Sequence, residues 1–212
     1  MLNKHNLSIT QFATRDEGRY SLACILVTPE ATIATNGFTL ARVTTPKLDV
    51  KSFPVTPGVK PSTTFRPFNL PLDAADTIRK AIPKKTTIPI LGNVMIDGKA
   101  TDAKPDDGTL DCAVLAVNDL ENPQVFRPRK EEGKFPAWEK VVPERKGAKA
   151  VFTLDARYLA KLAAWVAKFA DPRSPQLCIR YYGELDGIRF DAHSPDGQEF
   201  VGVIMPMRGE GN

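Results

Sequence analysis

Groups able to do covalent or acid–base chemistry are few in this 212-residue chain, and they do not converge. His5 and His193 lie near opposite ends and have no metal-ligand spacing to any cysteine. Cys24, Cys112 and Cys178 are odd in number, far apart and set in apolar, strand-like contexts, which predicts buried thiols rather than a disulfide framework. Asp106-Asp107 sits in a Gly-flanked loop and reads as turn chemistry. Asp186 and Asp191 flank an expected strand and read as surface carboxylates. No Walker loop, Gly-x-Ser-x-Gly elbow or dinucleotide fingerprint occurs. The expectation is no catalytic residue, no metal ligand, no cofactor and no enzymatic activity.

Two groups of residues are suited to recognition instead. The chain closes on Val203-Ile204-Met205-Pro206-Met207-Arg208 before a Gly-rich tail. Pro206 lacks a backbone donor, so a strand must end or run along an edge there. Met205 and Met207 are then free to line a groove, and methionine adapts to varied apolar partners. The plainer alternative is an ordinary closing strand with a frayed tail. The second group is basic: Arg79, Lys80, Lys84 and Lys85, then Arg157, Lys161 and Lys168. They suit phosphate contacts that are independent of base sequence, or a solvated helix face with cations near its C-terminus.

The elements that must position these groups follow a repeated pattern of strand, helix and three-strand meander. The last copy is the clearest. Ala150 to Leu154 reads as a strand and Asp155 as an N-cap. Leu159, Leu162, Ala163, Val166 and Phe169 keep helical spacing up to Ala170. Strands are expected at Gln176 to Tyr182, Gly187 to Ala192 and Glu199 to Met205. A second copy has its strand at Phe68 to Pro71 and its helix at Leu72 to Ile82. Its strands fall near Ile90 to Ile96, Thr109 to Val117 and Gln124 to Arg129, with a polar loop from Lys99 to Gly108. A partial copy comes first: a helix end at Leu7 to Phe12, then strands at Ser21 to Thr28, Ala31 to Thr35 and Phe38 to Val43, with its leading strand missing. Thr45 to Pro67 holds five prolines and reads as an extended connector, and Glu139 to Lys149 as a short charged one.

Three segments resemble the bacterial DNA polymerase III beta subunit, the DNA sliding clamp, in that family's order. The terminal Met205-Pro206-Met207-Arg208 is one. Arg19-Tyr20-Ser21-Leu22-Ala23-Cys24-Ile25-Leu26 with Ala34-Thr35-Asn36-Gly37-Phe38-Thr39-Leu40-Ala41 resembles the clamp's middle-domain pattern. Phe135-Pro136-Ala137-Trp138-Glu139-Lys140-Val141-Val142-Pro143 resembles its linker between middle and last domains. The resemblance implies an α+β, DNA-clamp-like fold: curved antiparallel sheets over two packed helices, near residues 72–82 and 155–170. Residues 1–143 would be middle-domain-like, with the Pro-rich connector 45–67 inside, and 144–212 half of a last-domain-like unit. That makes the chain a truncated or divergent clamp-like member.

By the same resemblance, partner peptides enter an apolar pocket walled by Leu22, Thr35, Gly37, Phe38, Thr39 and Leu40, by Pro136, Lys140 and Val141, and by Val203, Met205, Pro206, Met207 and Arg208. Phe38 stands where the family commonly has His, Thr39 where it usually has Arg, and Lys140 where Arg is common, so the rim is more apolar. The basic helices would face double-stranded DNA. The implied function is a processivity and recruitment factor for DNA replication that takes polymerase or clamp-loader peptides and encircles DNA as a homo-oligomer. The alternative is a clamp-fold regulator or decoy that binds peptides and never encircles DNA.

Composition fits this class. The chain is 42% hydrophobic and 25% charged, the balance of a globular protein, and its net charge of +4 is compatible with a polyanionic partner. No apolar run approaches the ~20 residues that span a bilayer. Met1 to Thr14 lacks the apolar core of a secretory signal, so a cytoplasmic protein with no membrane partner is expected.

Overall fold

Asn3 shows how a half of this fold begins. Its side chain accepts from the backbone N–H groups of His5 and Asn6, and the Asn6 side chain accepts from the Asn3 N–H. This reciprocal cap starts helix α1 (Lys4–Ser8) directly after strand β1 (Leu2–Asn3). A 3-10 turn at Ile9–Phe12 follows, then the meander β2 (Cys24–Val27), β3 (Ala31–Thr35) and β4 (Leu40–Thr44). The second half repeats the order: β5 (Phe68–Pro71), α2 (Leu72–Ala81), β6 (Asn93–Ile96), β7 (Leu115–Val117) and β8 (Gln124–Phe126). A short helix α3 (Gly98–Asp102) lies between β6 and β7, capped by the Asp97 carboxylate. The computed structural model describes all residues except 17–21, 85–86, 104–110, 145–147, 149, 184–185, 196 and 208–212.

The two halves exchange their leading strands. One sheet runs β4-β3-β2-β5 and the other β8-β7-β6-β1, all antiparallel. Leu70 of the second half pairs with Ile25 of the first, and Leu2 of the first with Val94 of the second. Helices α1 and α2 pack together, and Leu2, Leu7, Ile25, Leu70, Ile78, Val94 and Leu115 share one core. Connectors cover the other sheet faces. Phe53 and Val59 pack on Met95, Val114 and Ala116, while Phe135 packs on Cys24, Ala31 and Ile33. Burial on both faces explains why β3, β6 and β7 show no polar alternation, and the one amide among them, Asn93, donates to the Pro89 and Ile90 carbonyls. These elements form the first of two units, Met1–Val142.

The second unit, Pro143–Asn212, holds one such half. Helix α4 (Ala156–Phe169) starts at Asp155, whose carboxylate accepts from the Arg157 N–H. The sheet β9 (Cys178–Arg180), β10 (Ile188–His193) and β11 (Glu199–Ile204) follows, with β10 in the middle. Ile188, Phe190 and Ile204 pack against Leu154, Leu159, Leu162 and Leu177.

The class is α+β with antiparallel sheets, as expected, and several local expectations are corrected. Four α-helices occur among the described residues rather than two, because α1 and α3 are short and driven by their caps. The leading strand of the first half is present as β1; two residues carry no periodicity, and only pairing with β6 defines them. Ala150 to Leu154 makes a single bridge, Thr153 with Met207, instead of a strand. The loop expected at Lys99–Gly108 begins as α3, and residues 104–108 lie outside the described ones, as does Asp106-Asp107.

The Pro-rich stretch 45–67 is strapped down rather than extended. The Lys60 N–H donates to the Asp97 carboxylate at 2.8 Å, and the Ser62 N–H to the Ile96 carbonyl at 3.0 Å. Prolines fix φ without preventing burial, and Phe53, Val59 and Phe65 supply the apolar anchors. Of the three thiols only Cys24 is buried, Cys112 being half-buried and Cys178 exposed.

Candidate peptide-binding and DNA-facing surfaces

In the first unit, the turn between β3 and β4 sets five of the expected site residues. The Asn36 carboxamide oxygen accepts from the N–H groups of Phe38 at 2.9 Å and Thr39 at 2.8 Å. The Thr35 hydroxyl donates to the Thr39 carbonyl at 2.7 Å. Gly37 takes φ of 90°, which a side chain would oppose. The turn leaves Phe38 90% exposed, a large ring held in solvent by a well-bonded loop. Leu40 pairs with Thr35 and packs against a cluster that includes Ile33, Phe135 and Trp138. The Arg42 guanidinium sits 5.6 Å from the centre of the Trp138 ring. Pro136, Lys140 and Val141 flank Trp138 and are exposed; Leu22 is half-buried, and its carbonyl accepts from the Thr14 N–H at 3.3 Å. Thus Leu40 shares one apolar cluster with Phe135 and Trp138, and Leu22, Pro136, Lys140 and Val141 are not part of it. Trp138 and Arg42 are members of this surface that the sequence reading left out, although the aromatic residue within the linker segment was a usable signal.

In the second unit, a groove of about 640 Å3 runs between α4 and β11. Tyr158, Lys161, Leu162 and Trp165 line it from the helix, and Phe200, Gly202, Val203, Ile204 and Met205 from the strand side. Trp165 stacks on Phe169 at 4.8 Å and packs against Phe200 at the same distance. Val203, Met205 and Met207 are exposed, and Pro206 is half-buried. The Met207 N–H donates to the Thr153 carbonyl at 2.8 Å, which anchors the chain just past the proline. Arg208 lies outside the described residues. An apolar trough with a single ammonium at its rim fits a short peptide that carries Leu or Phe anchors. Tyr158, Trp165 and Phe200 are lining residues that the sequence reading missed, because helical spacing alone does not separate a groove wall from a core face.

The two basic sets differ. On α2, Arg79 pairs with Asp76 at 3.3 Å, and Arg15 reaches both Asp73 and Asp76. Lys80 and Lys84 are exposed, and Lys85 lies outside the described residues. The outer surface of α2 is therefore of mixed sign. On α4, Arg157, Lys161 and Lys168 fall on one side at helical spacing, all exposed. Arg157 bonds Asp155 at 2.6 Å, and this bond holds the Asp155 carboxyl below its usual range. On the sheet, Arg189 and Arg180 both bond Asp191; the hydrogen bond from Arg189 is the main cause of its depressed carboxyl pKa.

Among the described residues, no group of three or more His, Cys, Asp or Glu is placed to hold a metal ion, and no helix is long and apolar enough to cross a membrane.

No protein-family profile and no curated protein matches the chain. Solved structures do. A DNA polymerase III beta sliding clamp from Pseudomonas aeruginosa, bound to griselimycin, matches with a TM-score of 0.63 at 15% identity, over 99% of this chain and 49% of that one. The Caulobacter crescentus beta sliding clamp matches with a TM-score of 0.61 at 15% identity, over 97% and 50%. The Bacillus subtilis clamp gives 0.61 at 12% identity, over 97% and 48%. The chain spans about half the length of these clamps. It has the fold of the bacterial DNA polymerase III beta sliding clamp over that half, at low sequence identity.

Proposed function

We propose that this chain is a non-enzymatic, clamp-like recruitment and processivity factor of DNA replication. It binds short partner peptides of polymerase or clamp-loader type and acts as a homo-oligomer on double-stranded DNA. The observation that carries the reading is the apolar groove between α4 and β11, edged by Val203 and Met205 within a sliding-clamp fold. The exposed Phe38 turn and the Leu40–Trp138 surface offer a second apolar contact. The row Arg157, Lys161 and Lys168 supplies phosphate contacts without base readout.

Titration with a labelled peptide rich in Leu and Phe tests the groove. Affinity in roughly the micromolar range is expected for so few anchors. Met205→Ala should weaken binding tenfold or more, and Leu40→Ala tests the other surface separately. Both side chains are partly exposed, so the fold should survive. Unchanged affinity in both variants would reject the assignment. A DNA titration at several salt concentrations tests the second part: Lys161→Ala with Lys168→Ala should weaken binding and flatten its salt dependence. The mixed charge on α2 favours one other reading, a peptide-binding regulator that never encircles DNA. Peptide binding without measurable DNA binding would select it.

A further inference from the structure

Asn36 is the one asparagine of this chain that precedes a glycine. The backbone nitrogen that follows an asparagine is held within reach of the carboxamide carbon, and its attack there is intramolecular. A side chain on the following residue crowds that approach, and Gly37 has none. The turn between β3 and β4 arranges the groups of this reaction. Oδ1 of Asn36, the atom that takes the negative charge on attack, accepts from the Phe38 N–H at 2.9 Å, the Thr39 N–H at 2.8 Å and the Thr39 hydroxyl at 3.1 Å. Donors fixed in advance on an oxygen that becomes an oxyanion stabilise the transition state. The Gly37 N–H, whose proton must leave, is held by the Thr35 hydroxyl at 3.1 Å. Gly37 and Thr39 are exposed and Asn36 is half-buried, so water reaches the site.

Other asparagines show what protects a carboxamide. Asn6, Asn69, Asn93 and Asn118 are buried, and each donates its Nδ2 hydrogens to protein acceptors. The nitrogen that would have to depart is tied down in all four. The Nδ2 of Asn36 has no protein partner among the described residues. Asn118 is the closest control, because it opens the equivalent turn of the second half, between β7 and β8. Its Oδ1 also accepts from the N–H two residues on, that of Leu120, at 2.7 Å. Asp119 follows it instead of glycine, and its own nitrogen is bonded to the Val55 carbonyl and the Thr56 hydroxyl. Asn122 precedes Pro123, whose nitrogen has no proton to lose.

We propose that the Asn36-Gly37 turn is a self-modification site, at which the folded chain converts Asn36 to aspartate and isoaspartate. The Gly37 nitrogen gives its proton to water and attacks Cγ of Asn36. An N–Cγ bond forms, and Oδ1 carries the charge under its three donors. The Cγ–Nδ2 bond then breaks, and Nδ2 takes up a proton and leaves as ammonia, which closes a five-membered imide. Water adds to one of the two imide carbonyls. The C–N bond on that side breaks and the nitrogen recovers its proton. Opening at Cγ gives aspartate, and opening at the main-chain carbonyl gives isoaspartate. Water is the sole co-reactant, and nothing is oxidised or reduced. The two products act oppositely on the turn. An aspartate at 36 accepts from the same donors with a full charge, which tightens the loop. Isoaspartate adds a methylene to the main chain and displaces the Thr35–Leu40 pair, and with it the exposed Phe38 ring. Either way a negative charge arises beside Phe38 and stays there, since the released ammonia is lost to solvent.

Incubation of the full folded chain at neutral pH and 37 °C, read by peptide mass spectrometry, tests this without reference to peptide or DNA. The expected product is an amide-to-acid conversion at Asn36 with matching release of ammonia, and an isoaspartate fraction that an isoaspartyl methyltransferase labels. Asn36 should convert at least tenfold faster than Asn118, and faster at pH 8 than at pH 7 because the attacking nitrogen must lose its proton. The same chain in urea is the reference, and the folded chain should convert at least as fast. Thr39→Val removes one donor from Oδ1 and should slow the folded chain several-fold; Thr39 is exposed, so the fold should survive. Gly37→Ala should suppress the conversion. Its φ of 90° makes that variant strained, and Thr39→Val keeps the test independent of it. Conversion in urea but not in the folded chain would overturn the proposal, as would a Thr39→Val chain that converts as fast as the parent, or equal rates at Asn36 and Asn118.

Discussion

Cys24 and Cys178 show at residue scale how the same side chain takes opposite characters. Cys24 sits under Phe135 in a closed cluster, and burial, assisted by the Glu131 carboxylate, pushes its thiol up to about 12. Cys178 lies on β9 and is exposed. Only the thiolate is nucleophilic, so at pH 8 iodoacetamide should label Cys178 and spare Cys24 in the folded chain. Peptide mass spectrometry with and without urea checks this; equal labelling of both without urea would contradict the burial. The sequence reading placed all three cysteines inside because each lies in an apolar run. Apolar context identified strands correctly at 24 and 178. Burial of a strand residue depends on what covers its face and edge, and no local pattern carries that.

At element scale, the legible parts were those whose signal is local. The Asp155 cap with Leu159, Leu162, Val166 and Phe169 marks α4, and Leu72 with Ala75 and Ile78 marks α2. The strap 45–67 was not legible, because five prolines suggest a chain held away from the core. Its contacts are made with distant residues: Lys60 and Ser62 bond to Asp97 and Ile96, and Gly98 lies tight beneath Thr64. A Cβ on Gly98 would fall 2.3 Å from the Thr64 carbonyl oxygen, which is backbone and cannot swing aside. Gly98→Ala should therefore lift the strap and lower stability by about 1–3 kcal/mol, the usual scale of overpacking. Urea denaturation measures the loss, and a variant as stable as the parent would mean that the strap does not brace α3. Trp138, Trp165 and Phe200 belong to the same lesson: each was visible as an aromatic residue, but their grouping into exposed surfaces depends on which strand or helix lies opposite.

At the scale of the whole molecule, the two units are unequal. Unit 1 is a complete pair of halves with a core drawn from both, including Leu2, Ile25, Leu70 and Val94. Residues 1–142 should fold alone and unfold in one cooperative transition, since domains of this size with their own core commonly do. Circular dichroism of that fragment through a thermal scan checks it, and a broad, non-cooperative melt would show that the fragment depends on residues 143–212.

The sequence by itself determined most of the repeat of strand, helix and meander, the starts of α2 and α4, and the residue types available for apolar and phosphate recognition. These are short-range properties: hydrophobic period, cap chemistry and turn residues act within a few positions of one another. The tertiary structure alone decided that leading strands are exchanged between halves, that the connectors cover the outer sheet faces, and that α4 and β11 enclose a groove. Hydrogen bonds across a sheet and burial between layers are made by residues far apart in the chain, so their outcome is chosen by the free energy of the assembled core rather than by any single segment.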